Sequence, residues 1–435
     1  MGSKIPPVKG TRDVLPLDTY KDSDDPWLRI GHYQLVEGAA RKIFPLYGYR
    51  EARTPILERT ELFARGIGEA TDIVGKEMYT FDDGAEGKAV SVSMRPENTA
   101  SLVRAYVQHN VQQAEGETKW FYLGPMFRRE RQQRGRYRQF TQIGVEAFGS
   151  QGPRIDIEQI EMLHRWLTQL GIPFQMHINT LGDGDTRPRW KAALQEYLRG
   201  HISELTADSQ ARIETNPIRV LDSKFDKAEI LEGAPKIDAF LSDAGRAHFE
   251  GVKDGLSRLG VPYIVDGRLV RGLDYYTRTT FEAIATEGLG AQSTVAGGGR
   301  YDGLVRQLGG GDVPGVGFAA GVERLALLCA ADNREDAMKP LLFIAPLGEA
   351  EEKRADALAQ SLRAAGLAVE VSLRRSNAGN MMKRADALGA KFALVLGGDE
   401  LASGRGKLKE LATGAQQEVA LDALVSALQR LSAVG

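Results

Sequence analysis

The first 170 residues alternate between helix-like and strand-like patterns of apolar positions. Apolar residues recur at helical spacing over 28–47 and 156–170, which predicts two amphipathic helices. The apolar runs between them predict strands at 49–57, 89–94, 119–126 and 138–148. Pro55 lies inside the first of these strands, and a proline is tolerated in a sheet only at an edge or at a strand end. We therefore expect that strand at a boundary, such as a subunit interface.

The pattern changes in the middle of the chain. Residues 186–260 carry helix-forming runs, few aromatic side chains and no glycine-rich turns, which predicts a helical insertion within a larger domain. A β pattern returns over 263–285, glycines cluster at 297–299 and 309–311, and an apolar helix is predicted over 321–331. The insertion is therefore expected to interrupt one domain that contains both helices and strands.

The last hundred residues have the pattern of a separate domain. The stretch 331–340 is polar, charged and ended by a proline, which is typical of a linker. Beyond it, strand patterns alternate with helical patterns of about 10–15 residues, which predicts a parallel sheet with helices on its faces. The predicted strands and helices are 341–345, 349–365, 368–373, 377–388 and 392–396.

Charge and composition narrow the class of protein. The chain has 435 residues and a net charge of −2, which excludes an indiscriminate nucleic-acid coat protein but leaves room for a local basic surface. Arginine outnumbers lysine 38 to 18, which favours bidentate recognition of phosphates or carboxylates. The 49 glycines predict turns and places where the backbone closely approaches a ligand.

Several site classes are not supported by the sequence. The single cysteine, Cys329, excludes an internal disulfide and lies in an apolar run that predicts a buried thiol. The six histidines are scattered without metal-ligand spacing, and no Ser/His/Asp or Cys/His arrangement is visible. No apolar run is long enough to span a membrane, and the N-terminal residues form no apolar signal region, so we expect a soluble cytoplasmic protein.

The most conspicuous charged segment is 127–138. It contains one acid, Glu130, and six arginines between two strand-like runs, which predicts a long basic hairpin loop. Arginine forks match phosphate oxygens, so a polyphosphate or the end of a nucleic acid would be its natural partner. A solvated charge run is the alternative. The six arginines are Arg128, Arg129, Arg131, Arg134, Arg136 and Arg138.

Two more segments combine polar residues with strands or glycines. Segment 271–276 holds Arg271 and two tyrosines just ahead of a strand, although an amphiphilic edge strand would explain it as well. Segment 297–302 begins with three glycines, which permit positive φ and a close approach of the backbone to a ligand. A tight turn is the alternative for this second segment.

Charged residues also lie beside two predicted helix starts. In 315–324 a glycine-rich strand turns into an apolar helix, and Arg324 there needs a counter-charge from an anionic ligand or from a core carboxylate. In 95–99, Thr99 or the residue before it suits a helix N-cap. That interpretation leaves Glu97 unexplained.

Taken in chain order, these segments resemble those of class II aminoacyl-tRNA synthetases, and most closely the histidyl-tRNA synthetase family. The strand with Pro55 resembles the first class motif, which builds the dimer interface, and two later segments resemble motifs 2 and 3. Segments 271–276 and 297–302 resemble the two signatures specific for histidine. The segments that carry the resemblance are 9–13, the strand with Pro55, 127–138, 271–276, 297–302 and 317–324.

The resemblance implies a fold and a reaction. The fold is an α+β catalytic domain with a mostly antiparallel sheet (1–185 and 261–332), a helical insertion (186–260) that approaches the tRNA acceptor stem, and an α/β anticodon-binding domain (340–435). A homodimer is implied as well. The reaction joins histidine and ATP into histidyl-adenylate and pyrophosphate, and then transfers the histidyl group to the 3′ end of tRNA(His).

The resemblance also assigns residues to roles. Arg128, Arg271 and Arg324 would be catalytic. Glu146 would accept a hydrogen bond from the imidazole N–H, and Tyr276 would donate one to the other ring nitrogen. The implied histidine-binding residues are Glu97, Thr99, Arg128, Gln142, Glu146, Arg271, Tyr275 and Tyr276.

ATP would occupy the neighbouring site. Phe140 would stack on adenine, and Mg²⁺ would bridge the pyrophosphate oxygens with no metal ligand assigned to the chain. The implied ATP-binding residues are Arg128, Glu130, Arg136, Phe140 and Arg324. In the C-terminal domain, the basic residues that would face tRNA, if they are not simply scattered solvated charge, are Arg374, Arg375, Lys383, Arg384, Lys391, Arg405, Lys407 and Lys409.

Two alternatives remain open at this stage. A non-catalytic, synthetase-like regulatory subunit of histidine biosynthesis would typically lack the anticodon-binding domain and parts of motifs 2 and 3. Arg128, Arg271, Arg324 and the last hundred residues are all present, which disfavours it. Another class II synthetase is disfavoured by segments 271–276 and 297–302.

Overall fold

The chain folds into two units in the computed structural model, Met1–Asp336 and Ala337–Gly435. The division falls inside the polar stretch for which the sequence predicts a linker. The structure describes residues 4–16, 29–68, 71, 73–84, 90–131, 134–184, 186–223, 225–269, 275–289, 293–331 and 339–433.

The first unit contains a large sheet and a small sheet. The large sheet has eight strands in the order β1-β5-β6-β11-β10-β9-β7-β8, and the small one has three in the order β2-β4-β3. Their bounds are β1 (Arg50–Glu51), β2 (Leu57–Arg59), β3 (Tyr79–Asp83), β4 (Val90–Met94), β5 (Thr118–Phe127), β6 (Gln139–Phe148), β7 (Phe174–Thr180), β8 (Ile264–Val265), β9 (Thr277–Ala285), β10 (Thr294–Arg300) and β11 (Gly315–Gly321).

Helices surround these sheets. They are α1 (Ile30–Ile43), α2 (Thr60–Ile67), α3 (Thr99–Gln108), α4 (Val111–Glu115), α5 (Arg154–Gln169), α6 (Thr186–Gly200), α7 (Ala207–Arg212), α8 (Ala228–Gly233), α9 (Asp243–Arg258), α10 (Leu304–Gln307) and α11 (Val322–Ala331). Short 3₁₀ turns occupy Phe44–Tyr47, Ile202–Glu204, Pro217–Asp222 and Ile237–Phe240, and a π-helical turn occupies Ile73–Glu77.

The large sheet is antiparallel except for the pairings of β1 with β5 and of β7 with β8 at its edges. Its two faces differ in chemistry because side chains alternate along each strand. One face carries apolar residues such as Val145, Phe281 and Phe318, which pack under α1, α5, α9 and α11 in the main hydrophobic core. The mostly antiparallel sheet predicted from the sequence is thus confirmed. The buried Cys329 belongs to this core, as predicted.

The single strand predicted over 49–57 is wrong. The chain forms the two-residue strand β1, leaves the large sheet, and enters the small sheet at β2. Pro55 lies between the two strands, where its missing N–H removes no ladder hydrogen bond. Upstream, the helix predicted over 28–47 ends as an α-helix at Ile43. It continues as a 3₁₀ turn that contains Pro45.

The segment predicted as a helical insertion divides between two hydrophobic clusters. Helix α6 and the short helices after it pack with α3, α10 and the three tyrosines at 275, 276 and 301. Helix α9, in contrast, contributes Phe249, Val252 and Leu256 to the core beneath the large sheet. Helix α9 of the predicted insertion therefore packs with the catalytic core, and the bounds 186–260 stay a prediction.

The second unit is built on a five-stranded sheet of order β13-β12-β14-β15-β16. Strands β12, β13 and β14 are parallel, as predicted, whereas β15 and β16 form an antiparallel hairpin that the sequence pattern did not indicate. The elements are β12 (Leu342–Pro346), α12 (Glu349–Ala364), β13 (Val369–Val371), α13 (Ala378–Ala387), β14 (Phe392–Leu396), α14 (Gly398–Ser403), β15 (Arg405–Glu410), β16 (Gln416–Ala420) and α15 (Leu424–Ala433).

Candidate active site

The open face of the large sheet carries polar side chains next to glycines. Gln142 and Glu146 lie on this face of β6, directly opposite Gly321 and Gly317 of β11. A Cβ atom at Gly317 would lie 1.8 Å from Glu146 Oε2. Glycine at this position therefore leaves the space that the carboxylate occupies.

Glu146 is held by two hydroxyl groups at the bottom of this face. Thr99 Oγ1 donates a hydrogen bond of 2.6 Å to Oε1, and the Tyr301 hydroxyl donates to Oε2. Only 1% of the Glu146 side chain is exposed. Burial, together with the nearby Glu97 carboxylate, raises the pKa of Glu146 to about 8, although the two hydroxyl donors oppose the shift.

Glu97 caps helix α3 with its carboxylate, while the Thr99 side chain donates to Glu146 instead of capping the helix. The Glu97 carboxylate accepts hydrogen bonds from the backbone N–H groups of Thr99 (2.7 Å) and Ala100 (2.9 Å), so it caps the first turn of α3. Neither Thr99 nor Asn98 caps the helix with its side chain, contrary to one interpretation of the sequence. Burial raises the pKa of Glu97 against the effect of these N–H donors.

Three tyrosines enclose the space above Glu146. Tyr275 and Tyr276 have ring centroids 4.7 Å apart, and Tyr301 meets Tyr275 edge-on at 5.7 Å. All three are buried, and burial raises the pKa of the Tyr275 and Tyr301 hydroxyls well above 10, so both remain hydrogen-bond donors. Arg271, the predicted catalytic neighbour of these tyrosines, lies outside the described residues.

Tyr301 is a functional candidate that the sequence analysis missed as an individual residue. It belongs to the glycine-led segment 297–302, so the segment was identified while its tyrosine was not assigned a role. Its partner Glu146 lies 155 residues away along the chain, and only the sheet brings the two together. A hydroxyl-bearing residue two positions after the last glycine of the cluster was the available signal.

A cavity of about 300 Å³ opens beside Gln142 on the same face. It is lined by all five residues predicted to bind ATP and by Gln142, whose buried Oε1 has no hydrogen-bond partner among the described residues. Gly321 also lines it, and nothing lies within 4 Å of the position its Cβ would take. The predicted ATP residues that meet here are Arg128, Glu130, Arg136, Phe140 and Arg324.

Glu130 organises the arginines of this cavity. It accepts a hydrogen bond of 3.1 Å from Arg136 Nη1 and lies 3.6 Å from Arg128 Nη1. Arg128 also lies over the Phe140 ring, with its guanidinium carbon 5.2 Å from the ring centroid, and donates from Nε to the Pro96 carbonyl at 2.9 Å. The loop that carries these arginines is therefore held by defined contacts and is not a freely solvated charge run.

Arg324 faces the cavity from the first turn of α11. Its Nη1 donates to the Thr294 carbonyl, and no ion pair with a carboxylate is formed within the described ranges. Burial, and next the charge of Arg136, lower the pKa of Arg324 to about 10, which leaves it a cation at neutral pH. The carboxylates of Glu130 and Glu282 oppose this lowering of the pKa without reversing it.

Two further carboxylates line the cavity. Glu323 accepts a hydrogen bond from the Thr141 N–H at 2.7 Å, and burial raises its pKa to about 7. Glu282 accepts a hydrogen bond from the Thr294 hydroxyl at 3.0 Å. Nowhere in the part of the chain that the structure describes do three His, Cys, Asp or Glu side chains converge as metal ligands.

The N-terminal segment 9–13 borders the arginine loop. The Gly10 carbonyl accepts a hydrogen bond of 2.8 Å from the Arg138 N–H, and the Arg12 guanidinium lies 5.2 Å from the Tyr137 ring centroid. A Cβ at Gly10 would meet the Arg138 side chain at 2.7 Å. The segment therefore fixes the base of the loop.

Known protein families match this chain over most of its length. A family model described as histidyl-tRNA synthetase matches residues 29–325, and a model described as anticodon binding domain matches residues 342–431. These two ranges coincide with the two units of the fold.

Individual proteins match it over nearly their whole length. The chain is 47% identical to the histidine–tRNA ligase of Anaeromyxobacter dehalogenans, over 97% of this chain and 99% of that protein. It is 45% identical to the histidine–tRNA ligase of Lysinibacillus sphaericus, over 99% and 100%. The crystal structure of apo histidyl-tRNA synthetase from S. aureus is 35% identical and superposes with a TM-score of 0.78, covering 98% of this chain and 100% of that one.

Proposed function

Because the chain belongs to the histidyl-tRNA synthetase family, it is an ATP-dependent histidine–tRNA ligase, and we propose that the Glu146 pocket selects histidine while the Arg128 cavity holds ATP. One observation carries the proposal. A buried carboxylate, held by two hydroxyl donors, lies on the same strand face as a cavity with three arginines.

The Glu146 pocket suits a neutral imidazole. Such a ring offers one N–H donor and one bare nitrogen acceptor. Glu146 accepts from the N–H, Tyr276 donates to the other nitrogen, and Tyr301 and Thr99 keep the carboxylate aligned. A site made of buried hydrogen bonds rejects analogues that lack the matching group by about 10⁴ or more.

The α-amino and α-carboxylate groups of histidine point toward the ATP cavity. The unpartnered Gln142 Oε1 is an acceptor for the ammonium group, beside Glu97 and Thr99. The carboxylate must attack the α-phosphate, so two anions meet, and fixed cations lower the barrier. Arg128 and Arg271 are proposed to contact both reactants at this point.

The remaining ATP groups have proposed partners in the cavity. Adenine stacks on Phe140, Arg136 and Arg324 contact the distal phosphates, and Glu130 orients Arg128 and Arg136 before ATP binds. Mg²⁺ on the phosphates would neutralise charge on the leaving pyrophosphate. Glu282, a carboxylate facing this cavity, fits the usual Mg²⁺ environment of one or two carboxylates plus phosphate oxygens.

The second unit is proposed to bind the tRNA anticodon. Several of its basic residues are neutralised on the surface, since Arg375, Arg384 and Arg405 pair with Glu352, Glu370 and Glu418. That pairing leaves five of the eight basic residues, of which Lys391 lies over the Phe392 ring at 5.6 Å and the other four are proposed for phosphate contact. They are Arg374, Lys383, Lys407 and Lys409. The insertion, predicted over 186–260, is proposed to approach the acceptor stem.

We also propose a homodimer in the cytoplasm. Leu57 and Phe81 are exposed on one face of the small sheet, where they lie opposite Met94 and Val92. The same face carries the exposed Arg59 and Asp83, so it combines apolar and charged groups. None of the described helices is long and apolar enough to cross a bilayer. Phe81→Arg is expected to shift the hydrodynamic mass from two chains toward one, whereas an unchanged mass would argue against this face as the interface.

The regulatory-subunit alternative is less supported. A structure from Bacillus halodurans described as an ATP phosphoribosyltransferase regulatory subunit/histidyl-tRNA synthetase is 20% identical, with a TM-score of 0.61, and shows a shared fold alone. Here the cavity arginines and the anticodon-binding match are both present.

Pyrophosphate–ATP exchange with each of the twenty amino acids tests the assignment. Exchange is expected with histidine alone, and Arg271→Ala is expected to cut it by orders of magnitude while histidine binding is largely retained. Exchange with a different amino acid, or near-wild-type exchange by Arg271→Ala, would refute the corresponding assignment.

A further inference from the structure

Arg95 lies at the junction of three segments that the proposed reaction needs. The residue is 5% exposed, and its side chain forms no ion pair among the described residues. Its guanidinium donates instead to neutral acceptors. Nε donates to the Pro125 carbonyl at 3.0 Å, and Nη1 donates to the Thr54 carbonyl (3.1 Å), to Thr54 Oγ1 (3.0 Å) and to Asn98 Oδ1 (3.0 Å).

These acceptors belong to separate parts of the fold. Thr54 lies in the irregular stretch between β1 and β2, Pro125 lies near the end of β5, and Asn98 directly precedes α3. The Thr54 hydroxyl also donates to Asn98 Oδ1 at 2.6 Å, which closes a ring of three side chains. One planar group with several donors thus joins three segments, which a lysine could not do in the same geometry.

The backbone of residues 95 and 96 continues the same junction. The Arg95 N–H donates to the Ile56 carbonyl at 2.9 Å, and its carbonyl accepts from the Phe127 N–H at 3.0 Å. The next carbonyl, of Pro96, accepts from Arg128 Nε at 2.9 Å. The Pro96 carbonyl that accepts from Arg128 therefore lies in the short stretch between Arg95 and Asn98, whose side chains are joined by a hydrogen bond.

We propose that Arg95 is a positioning residue that sets Arg128 and the Glu97–Thr99 turn in their relative places for adenylate formation. The inference rests on the proposed role of Arg128. Arg95 does not touch the cavity; it acts through Pro125 on the strand that leads to Arg128 and through Asn98 on the turn that carries Glu97. A misplacement of about 1 Å can lower a rate by about 100-fold.

Gly124 offers a second, independent way to disturb this junction. A Cβ at this position would lie 2.4 Å from Arg95 Nη2, and the other atom within 4 Å is Arg95 Cζ. Gly124→Ala thus presses on the guanidinium without removing any of its donors. Thr54→Val is a third way, since it removes one hydroxyl that accepts from Arg95 and donates to Asn98.

The test compares Arg95→Lys, Gly124→Ala and Thr54→Val with wild-type full-length protein. We expect kcat for histidine-dependent pyrophosphate exchange to fall by about 100-fold in Arg95→Lys and Gly124→Ala, as for a misplaced catalytic group. Transfer of histidine from preformed adenylate to tRNA and the thermal midpoint should change little. Matched controls are Arg104→Lys, which alters a part-buried arginine paired with Glu58, and Gly200→Ala, where no atom lies within 4 Å.

Arg128→Gln, measured in parallel, separates the two proposals. If Arg128→Gln loses exchange while Arg95→Lys and Gly124→Ala keep it, the positioning role of Arg95 is refuted. If Arg128→Gln itself keeps exchange, the proposed role of Arg128 fails. Should Arg95→Lys fail to fold, the exchange rates of Gly124→Ala and Thr54→Val test the positioning role of Arg95. If exchange falls only in proportion to the loss of folded protein, the inference is refuted.

Discussion

At the scale of single residues, the site depends on where side chains are missing as much as on where they are present. Gly317 leaves room for the Glu146 carboxylate, and Gly144 leaves room for the Tyr122 ring, whose hydroxyl would lie 2.5 Å from a Cβ there. Neither glycine has a positive φ, so each is required for space and not for backbone conformation. The sequence indicated close approaches at glycines, but it could not say which side chain each glycine admits.

Gly317→Ala is expected to disable histidine binding. The added methyl would lie 1.8 Å from Glu146 Oε2, so the carboxylate must leave its place between Thr99 and Tyr301. The KM for histidine should rise by about 10² or more, since a buried hydrogen bond of the pocket is lost, while the KM for ATP changes little. Steady-state exchange kinetics measure both. Gly200→Ala is the matched control, and an equal rise in both KM values would contradict the expectation.

Histidine binding is also expected to depend on pH through Glu146. Its pKa of about 8 means that the carboxyl is protonated in the empty site at pH 7, while free imidazole is largely neutral above about 6.5. If the ionised carboxylate accepts the imidazole N–H, binding at pH 7 releases a proton, and affinity falls as the pH drops below 8. Glu146→Gln should bind weakly and without this dependence.

Calorimetric titration in two buffers with different ionisation enthalpies counts that proton. Release of close to one proton per histidine at pH 7 is the expected result. No release, together with an affinity that is flat from pH 7 to pH 8, would mean that the proton stays in the complex. Glu97 and Tyr301 face Glu146 as well, and the Tyr301 pKa lies too high for it to titrate in this range.

At the scale of elements, a buried ion-pair cluster joins strand β10 to two helices. The fully buried Arg300 pairs with Asp156 of α5 at 2.9 Å, and Asp156 also lies 3.3 Å from His248 Nε2 of α9. Arg300 donates further to the carbonyls of Ser150 and Gly152. Tyr301 directly follows Arg300 and contacts Glu146 on the open face of the sheet. The ion-pair cluster therefore anchors the end of β10 from the core face, one residue before this contact.

Asp156→Asn is expected to destabilise the catalytic unit strongly. The substitution leaves the buried Arg300 with the part-exposed Asp302 as its remaining ion-pair partner. Breaking a buried ion pair typically lowers the free energy of unfolding by about 3–5 kcal/mol. Thermal unfolding should show a clear drop in the midpoint of this unit. Glu214→Gln, which breaks the exposed pair with Arg199 in the same unit, serves as control and should leave the midpoint unchanged. Equal midpoints for the two variants would contradict the expectation.

Most elements could be predicted from apolar spacing, and the exceptions share a cause. Strands β5, β6 and β12 and helix α5 follow the predicted ranges closely, because each buries one continuous face. The split between β1 and β2 and the packing of α9 depend on partners far along the chain, whereas Glu97 caps α3 through the neighbouring N–H groups of Thr99 and Ala100. Glu97, Thr99 and Glu146, which the family resemblance assigns to histidine binding, lie in contact with one another through Thr99. Apolar spacing carries no information on such long-range pairings, and the roles of these residues stay predictions.

At the scale of the whole molecule, the proposed function assigns adenylate formation to the first unit and anticodon binding to the second. The first carries the pocket and the cavity, and the second matches an anticodon-binding model. The whole chain has a net charge of −2 and is thus nearly neutral, so tRNA must be attracted by local basic surfaces. Binding that displaces counterions from phosphates weakens as salt rises.

The KM for tRNA is therefore expected to rise steeply with potassium chloride, whereas histidine-dependent exchange should change much less. Arg374→Ala and Lys383→Ala should each weaken tRNA binding and reduce the slope of log KM against log salt by about 1 if each contacts a phosphate. Arg405→Ala is the control, because that arginine is already paired with Glu418. Equal effects of all three substitutions would indicate a general charge effect and no defined phosphate contact.

The alternation of side chains across the large sheet has a consequence for how such an enzyme can diverge. Val145 and Phe318 stabilise the fold from one face, while Glu146 and Gly317, their immediate neighbours in the chain, shape the proposed substrate pocket from the other. Mutations on the pocket face can alter amino-acid preference while the core beneath stays packed. A sheet of this kind can thus pass from one substrate to another through folded intermediates, which makes it a favourable scaffold for descendants with different specificities.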